Sequence, residues 1–227
     1  MKRKLIALLG LGLLATQVAA AEPEVLKSEQ DMVSYGIGMY MARSFKNDDI
    51  SVDQELLLKG LHDGLNGTSL LPDKSLRRVM NAFQAETRRK AAARHQQASA
   101  ENQKKSARFV MENRAKEGVV TLASGLQYKV LKTGSGRKPR EGDTVDCLYR
   151  GTLLDGTEFD STEAQKPASL KLAQLIPGWR EALQMMPEGS RWELYVPPQL
   201  AYGARGAGSD IGPNETLVFD LELVAVK

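Results

Sequence analysis

Cysteine, histidine and aromatic residues are scarce in this 227-residue sequence. The single cysteine, Cys147, cannot form an intrachain disulfide, and the chain has no cluster of Cys and His that would build a zinc site. His62 and His95 are the only histidines, which argues against catalysis by a histidine base. Aromatic residues make up only 6% of the chain, so we expect one segment to bury little core and to act as a spacer.

Overall composition is that of a folded protein that dissolves in water. Charged residues account for 26% and hydrophobic residues for 42% of the chain, close to the averages for globular proteins. These values exclude a membrane-embedded, fully disordered or collagen-like protein. The length is comfortable for two modest domains, since domains cluster at roughly 100 to 200 residues.

A short export signal is predicted at the amino terminus. Lys2, Arg3 and Lys4 precede an apolar run over residues 5–15, and small residues follow up to Ala21. The apolar run is shorter than the roughly 20 residues that cross a bilayer, which disfavours an uncleaved membrane anchor. We therefore expect residues 1–21 to be a cleaved signal peptide, and the mature chain to have no membrane span.

Loss of this signal would also remove the net charge of the chain. The formal charge of +3 equals the contribution of the three basic residues of the signal, and the remainder holds 28 basic and 28 acidic side chains. Nucleic-acid-binding proteins carry a net positive surface. We therefore exclude nucleic acid as a partner.

Charge and periodicity divide the mature chain into three segments, of which the first is helical and acidic. Residues 22–71 contain two short amphipathic stretches, the second capped by Ser51 or Asp53. About 50 residues are too few to be stable alone without disulfides, metals or a partner chain. We expect this segment to pair with a second copy of itself, and Met32, Met39 and Met41 are adaptable side chains for such an interface. Packing of these methionines within their own chain is the alternative.

The middle segment, residues 72–117, predicts one long helix. Pro72 suits a first helical turn, and neither Gly nor Pro follows until Gly118. From Gln84 to Arg108 the segment is rich in strong helix formers with no apolar face, so the heptad pattern of a coiled coil is absent. We expect a helix of roughly 65 Å that stands in water as a stalk. Its 12 basic and 5 acidic side chains could bind an anionic partner, but solvation of such a surface is the more common outcome.

Residues 118–227 alternate with a period of two and predict strands. Alternation over residues 126–131, 145–154, 192–196 and 217–226 indicates an antiparallel sheet, with a tight turn at Asp155 and Gly156. Pro177 begins a short helix that carries Trp179. The expected fold class is α+β, with one short helix across the sheet. Cys147 lies two residues before Tyr149 on the same strand face, and we interpret it as core.

Several motifs in this segment resemble the FKBP family of prolyl isomerases. They are YRGT at 149–152, DGTEFDS at 155–161, IPGW at 176–179, AYG at 201–203 and IGP with TLVF between 211 and 219. Ala168 and Leu170 stand where many members of the family carry an aromatic wall residue. With the helical front half and the stalk, the whole chain is similar to the macrophage infectivity potentiator type of exported, dimeric FKBP. The resemblance implies a helical dimerisation domain, a long connecting helix and a carboxy-terminal FKBP domain.

The resemblance also implies the residues of a proline-binding pocket and its ligands. Trp179 would form the floor, Asp160 and Tyr202 a polar edge, and the backbone N–H of Ile211 would hold a substrate carbonyl. The walls would be Tyr149, Phe159, Leu175, Ile176 and Phe219. Without the resemblance, Phe159, Trp179 and Phe219 would pass as core aromatics, and Asp160 as a loop cap. Macrolides of the rapamycin type would occupy the same pocket.

Isomerisation of an X-Pro bond needs no nucleophile, metal or cofactor, because the pocket acts by desolvation and shape. The implied clients are unfolded or partly folded chains in the periplasm or at the outer surface of a Gram-negative bacterium. The alternative function is a holding chaperone or a host-surface binding protein whose isomerase pocket is incidental. The pair of Asp160 and Tyr202 favours the enzyme.

Overall fold

The computed structural model describes residues 26–163 and 166–227, which divide into two compact units between Leu70 and Leu71. The signal predicted at residues 1–21 lies outside these ranges. Within them, none of the helices combines the length and the apolar character needed to cross a bilayer.

The first unit contains two helices with well-formed amino-terminal caps. Helix α1 spans Glu29–Asn47 and is capped by Ser28, whose hydroxyl accepts the backbone N–H of Asp31 while the Asp31 carboxylate accepts that of Ser28. Helix α2 spans Gln54–Leu65, and the Asp53 carboxylate accepts the backbone N–H of Leu56 at 3.0 Å. Asp53 is therefore the cap of the second stretch, and Ser51 is not.

Neither of these helices buries a residue within one chain. Their large apolar side chains are among the most exposed in the described protein, with Tyr40 at 78% and Leu65 at 81%. Burial of apolar surface is the main force that stabilises a folded unit. The first unit therefore lacks a core of its own.

The second unit begins with the long helix α3, Asp73–Asn113, whose 41 residues extend about 61 Å at about 1.5 Å per residue. Pro72 lies at its N-cap, one position before the predicted first turn. The prediction that the whole helix stands in water is wrong for its last four turns. Asn102, Ser106 and Asn113 are buried against the rest of the unit. The pattern of apolar residues cannot reveal this face, because the side chains that it buries are polar.

The remainder of the second unit is an antiparallel sheet in the order β1-β2-β6-β7-β3-β4, with β5 paired to β3. Its strands are β1 Val119–Thr121, β2 Gln127–Lys132, β3 Thr144–Thr152, β4 Glu158–Ser161, β5 Ala168–Lys171, β6 Arg191–Val196 and β7 Leu217–Val226. Helix α4, Pro177–Met185, packs against the sheet and buries Trp179 and Leu183. The predicted α+β fold is confirmed.

Two short strands and the details of one turn differ from the predictions. Strands β1 and β5 have three and four residues, too few for alternation to reveal them. The predicted hairpin is wider than two residues: β3 ends at Thr152 and β4 begins at Glu158. Gly156 has a φ of 88°, a conformation that glycine adopts readily. Its N–H donates to the carbonyl of Leu153 at 3.0 Å and closes the turn.

Cys147 lies in the core of the sheet and is fully buried, as predicted from its strand position. Burial, with a smaller contribution from the charge of Asp146, raises the pKa of its thiol to about 12. Because the thiolate is the reactive form, this thiol is inert in the folded protein at neutral pH.

This burial predicts that Cys147 reports unfolding of the second unit. In the native full-length chain at pH 8, a thiol reagent such as dithionitrobenzoate should leave Cys147 unmodified, and one thiol per chain should react in denaturant. Rapid stoichiometric labelling of the native protein would contradict the described packing.

Candidate active site

A pocket of about 250 Å³ opens between the sheet and the amino-terminal end of α4. Eight of the nine residues expected from the sequence line it, together with two others. The lining residues are Tyr149, Phe159, Asp160, Leu170, Gln174, Leu175, Ile176, Trp179, Tyr202 and Phe219. Strands β3, β4, β5 and β7, helix α4 and the loop after β6 thus converge on one cavity.

Aromatic rings packed edge to face form the floor of the pocket. The centroid of the Trp179 ring lies 5.1 Å from the ring centroids of both Tyr149 and Phe219. The interplanar angles are 84° and 82°. Phe159 contacts Phe219 in the same manner at 5.6 Å. Such contacts place the positive edge of one ring against the negative face of another. Trp179 and Phe219 are each only 4% exposed, so the floor is part of the hydrophobic core.

Gly151 of β3 makes room for this aromatic packing. A Cβ at this position would lie 2.7 Å from Cζ of Phe159 and 2.9 Å from Cε1 of Phe219, closer than carbon atoms approach in proteins. Gly151 pairs directly with Phe219 across the β3–β7 ladder. The glycine of the YRGT motif therefore has a packing role beneath the pocket.

A tyrosine and a carboxylate form the polar edge. The hydroxyl of Tyr149 donates a hydrogen bond of 2.7 Å to Oδ2 of Asp160. Burial, followed by the hydrogen bond and the charge of Asp160, raises the pKa of Tyr149 to about 12. Tyr149 thus remains protonated near neutral pH and holds the Asp160 carboxylate in place. Tyr202, 41% exposed, lines the same cavity.

Unlike the other eight residues expected at the site, Ile211 lies outside the pocket, and its backbone is paired within the loop after Tyr202. Its N–H donates to the carbonyl of Ala207 at 3.1 Å and its carbonyl accepts from Ala207 at 2.9 Å, so its polar groups are already paired. Ile211 is not among the residues that line the pocket. Among the described residues, the backbone N–H of Ile176 makes no hydrogen bond. Ile176 is the N-cap of α4 and does line the pocket, so its N–H is a candidate donor to a ligand.

Leu170 and Gln174 line the pocket but were not predicted to do so. Leu170 belongs to strand β5, which was not predicted. The one signal in the sequence that Leu170 lines the pocket is that many members of the family carry an aromatic wall residue in this region. Gln174 ends a short 3₁₀ turn, Leu172–Gln174, that is anchored by the fully buried Leu172. No pattern in the sequence marks Gln174.

The chemistry available in the pocket is that of an apolar cavity with a few fixed polar groups. In the described part of the chain, no three His, Cys, Asp or Glu side chains are grouped closely enough to hold a metal ion. The pocket contains neither histidine nor cysteine, and its carboxylate is oriented by a tyrosine hydroxyl. Such a cavity suits the binding of a compact apolar ring.

Comparisons with known proteins agree with this architecture over the whole chain. The model of the FKBP-type peptidyl-prolyl cis-trans isomerase family matches residues 135–224, and that of the domain amino-terminal to it matches residues 30–130. Outer membrane protein MIP of Legionella longbeachae is 46% identical, with 100% of this chain and 99% of the relative covered. Peptidyl-prolyl cis-trans isomerase Mip of Coxiella burnetii is 42% identical with the same coverage.

Solved structures support the same assignment. The crystal structure of FkpA from Escherichia coli is similar with a TM-score of 0.68 and 36% identity, covering 89% of this chain and 99% of that chain. A peptidyl-prolyl cis-trans isomerase from Pseudomonas syringae matches with a TM-score of 0.54 and 40% identity, covering 57% of this chain and 96% of its own. The chain therefore belongs to the FKBP-type peptidyl-prolyl cis-trans isomerases, the family that its sequence motifs indicated.

Proposed function

We propose that the pocket above Trp179 binds the proline ring of partly folded, exported proteins and lowers the barrier to rotation about the preceding peptide bond. The observation that carries this proposal is the apolar cavity itself, whose floor is formed by core aromatic residues and which few polar side chains line. A proline ring is compact and apolar, and the imide beside it carries the only polar atoms that the site must meet.

Rotation about an X-Pro bond needs positioning and desolvation more than chemistry. The planar imide is stabilised by resonance, which sets a barrier of about 18–20 kcal/mol. That resonance separates charge, so removal of water weakens the planar state relative to the twisted one, in which the nitrogen lone pair is no longer shared. The buried rings of Trp179 and Phe219 would supply the dry surface for this step.

The polar edge would hold the substrate in the twisted geometry. The Ile176 N–H, which has no hydrogen-bond partner among the described residues, would donate to a substrate carbonyl. Asp160, which accepts a hydrogen bond from Tyr149, and Tyr202 would contact the rotating amide. None of these groups needs to transfer a proton, because no covalent bond is made or broken.

Variants of the polar edge should weaken catalysis without abolishing it. In the full-length chain, we expect Tyr202→Phe and Asp160→Ala each to lower kcat/KM for an X-Pro tetrapeptide by about 10-fold or less, since desolvation is retained. The rate of cis-to-trans exchange measures this effect.

The matched control is Tyr128→Phe, at a ring stacked on Trp192 outside the pocket, which should retain full activity. Complete loss of activity at Tyr202→Phe or Asp160→Ala with the fold intact would show a chemical step, against this mechanism. No effect at either residue would remove both from the site.

We also propose that the first unit assembles with a second copy of itself through residues 22–71. The exposed apolar residues of α1 and α2 support this, because a single chain leaves Leu58 65% exposed and Tyr40 78% exposed. An apolar cleft of about 620 Å³ between α1 and α2, lined by Met41, Phe45 and Leu61, offers room for side chains of the partner copy. Large exposed apolar side chains on two neighbouring helices are characteristic of interfaces.

Charges placed on the exposed face of α2 should dissociate the dimer. Light scattering should show a dimer for the mature chain and a monomer for the double variant Leu58→Asp with Leu61→Asp, because the new charges would be buried without partners. Lys59→Ala, on an exposed side chain between the two leucines, should remain a dimer. A monomeric mature chain would refute this assembly.

The cellular setting is also a proposal. The predicted signal at residues 1–21, and a relative named as an outer membrane protein, support export to the periplasm or the outer surface of a Gram-negative bacterium.

In that setting, the two pockets of one dimer would bind one partly folded client, and the dimer would act as a chaperone. A macrolide of the rapamycin type would compete for the pocket.

If both pockets of a dimer bind one client, the dimer should gain activity on a protein substrate but not on a tetrapeptide. Linking two weak sites can raise avidity by roughly 10² to 10⁴, whereas a tetrapeptide occupies one pocket only. The dimer should therefore exceed the Leu58→Asp, Leu61→Asp variant in accelerating the refolding of a proline-limited protein, and the two should match per pocket on a tetrapeptide. Equal performance on the protein substrate would contradict the model.

The alternative function, a holding chaperone with an incidental pocket, predicts that a macrolide bound in the pocket does not affect the refolding of a client protein. If saturating macrolide abolishes tetrapeptide isomerisation but leaves refolding acceleration unchanged, holding is the function.

A further inference from the structure

The last turns of α3 are joined to the sheet domain by a row of buried and half-buried polar contacts, which we call the stalk seam. Nδ2 of Asn102 donates to the carbonyl of Pro213 at 3.0 Å, and the hydroxyls of Ser106 and Thr216 lie 2.6 Å apart. Nδ2 of Asn214 donates to the hydroxyl of Ser99 at 2.8 Å. The seam thus joins one face of α3 to residues 213–216.

The central side chains of the seam are buried and polar. Asn102 and Ser106 are 8% and 6% exposed, and Thr216 is 1% exposed. Spacings of three and four residues from Ser99 to Asn102 and on to Ser106 place the three side chains on one helix face. A buried polar group that loses its partner is costly, so these contacts hold the segment in one position more strictly than an apolar contact would.

The segment held by the seam closes the loop that follows the pocket residue Tyr202. The backbone N–H of Asn214 donates to the carbonyl of Gly203 at 2.8 Å, which joins the far end of the loop to the residue next to Tyr202. Asn214 has a φ of 56°, a conformation in which asparagine is tolerated better than most residues. The bridge between Ala207 and Ile211 closes the loop internally. Displacement of Asn214 would therefore move Gly203, and Tyr202 with it.

We propose that Ser99, Asn102 and Ser106 of α3 are positioning residues of the isomerase pocket, which hold Tyr202 at the pocket edge through Asn214 and Gly203. The end of the connecting helix is then part of the catalytic unit, in addition to its role as a spacer. This inference rests on the proposed role of Tyr202 in substrate binding.

The test uses Asn102→Ala in the full-length chain. Alanine favours helix more than asparagine does, so a loss of activity cannot be assigned to a weakened α3. We expect KM for an X-Pro tetrapeptide to rise by about 3- to 10-fold with kcat changed less than about 2-fold, because the substrate contact is misplaced while the aromatic floor is intact. Asn81→Ala, on an exposed asparagine of the same helix, is the matched control and should change neither constant.

A milder pair of variants tests the same contact without disturbing the buried part of the seam. Ser99→Ala removes the acceptor for Asn214 and should raise KM in the same direction, whereas Ser99→Thr keeps a hydroxyl and should restore it. If Asn102→Ala does not fold, as judged by exposure of Cys147 to a thiol reagent, this pair decides the question. Unchanged KM in Ser99→Ala and in a folded Asn102→Ala would overturn the proposal.

A double-mutant cycle shows whether the seam acts through Tyr202. In a Tyr202→Ala background, Asn102→Ala should have less than about a 2-fold further effect, since the group that it positions is gone. Independent, multiplying effects would overturn the proposal. Full activity of Tyr202→Ala alone would overturn the pocket assignment and the inference with it, whereas a loss in Tyr202→Ala without one in Asn102→Ala would overturn the inference only.

Discussion

The burial of the Trp179 indole is the constraint on which the rest of the site depends. Its ring contacts Tyr149 and Phe219 edge to face and is only 4% exposed, so the pocket is a continuation of the hydrophobic core. Strand β3 can approach these rings only because Gly151 has no side chain. The proposed binding surface for a proline ring therefore comes from ordinary core packing, which forms the floor of the pocket independently of the polar residues at its rim.

The polar groups at the rim are held by contacts of very different sequence range. Asp160 is oriented by Tyr149 from the neighbouring strand. The loop after Tyr202 is closed by Asn214, which in turn contacts Ser99 of α3, 115 residues earlier in the chain. Ile176, the N-cap of α4, lines the cavity, and its backbone N–H has no hydrogen-bond partner among the described residues. The site thus combines a rigid floor with an edge whose geometry depends on distant segments, including the connecting helix.

Sequence patterns predicted the parts of this architecture that depend on local chemistry. Alternation identified the long strands, and the motifs around Phe159, Trp179 and Tyr202 identified residues that share the pocket. Hydrogen-bond availability could not be predicted, because the pairing of Ile211 with Ala207 is a property of the folded loop. The buried face of α3 was missed because its contacts are polar, and the partner of Ser106 is 110 residues away. Short strands such as β5 escaped because four residues carry too little periodicity.

We propose that the pocket accelerates rotation about the X-Pro bond by desolvation and shape complementarity, without proton transfer. The most direct test is the solvent isotope effect on kcat/KM for an X-Pro tetrapeptide, measured in H₂O and D₂O with the full-length chain. A mechanism without proton transfer predicts a ratio of about 1, whereas general acid or base catalysis slows in D₂O by about 2-fold or more. A ratio near 1 is the result that this structure predicts, and a large effect that disappears in Asp160→Ala would contradict it.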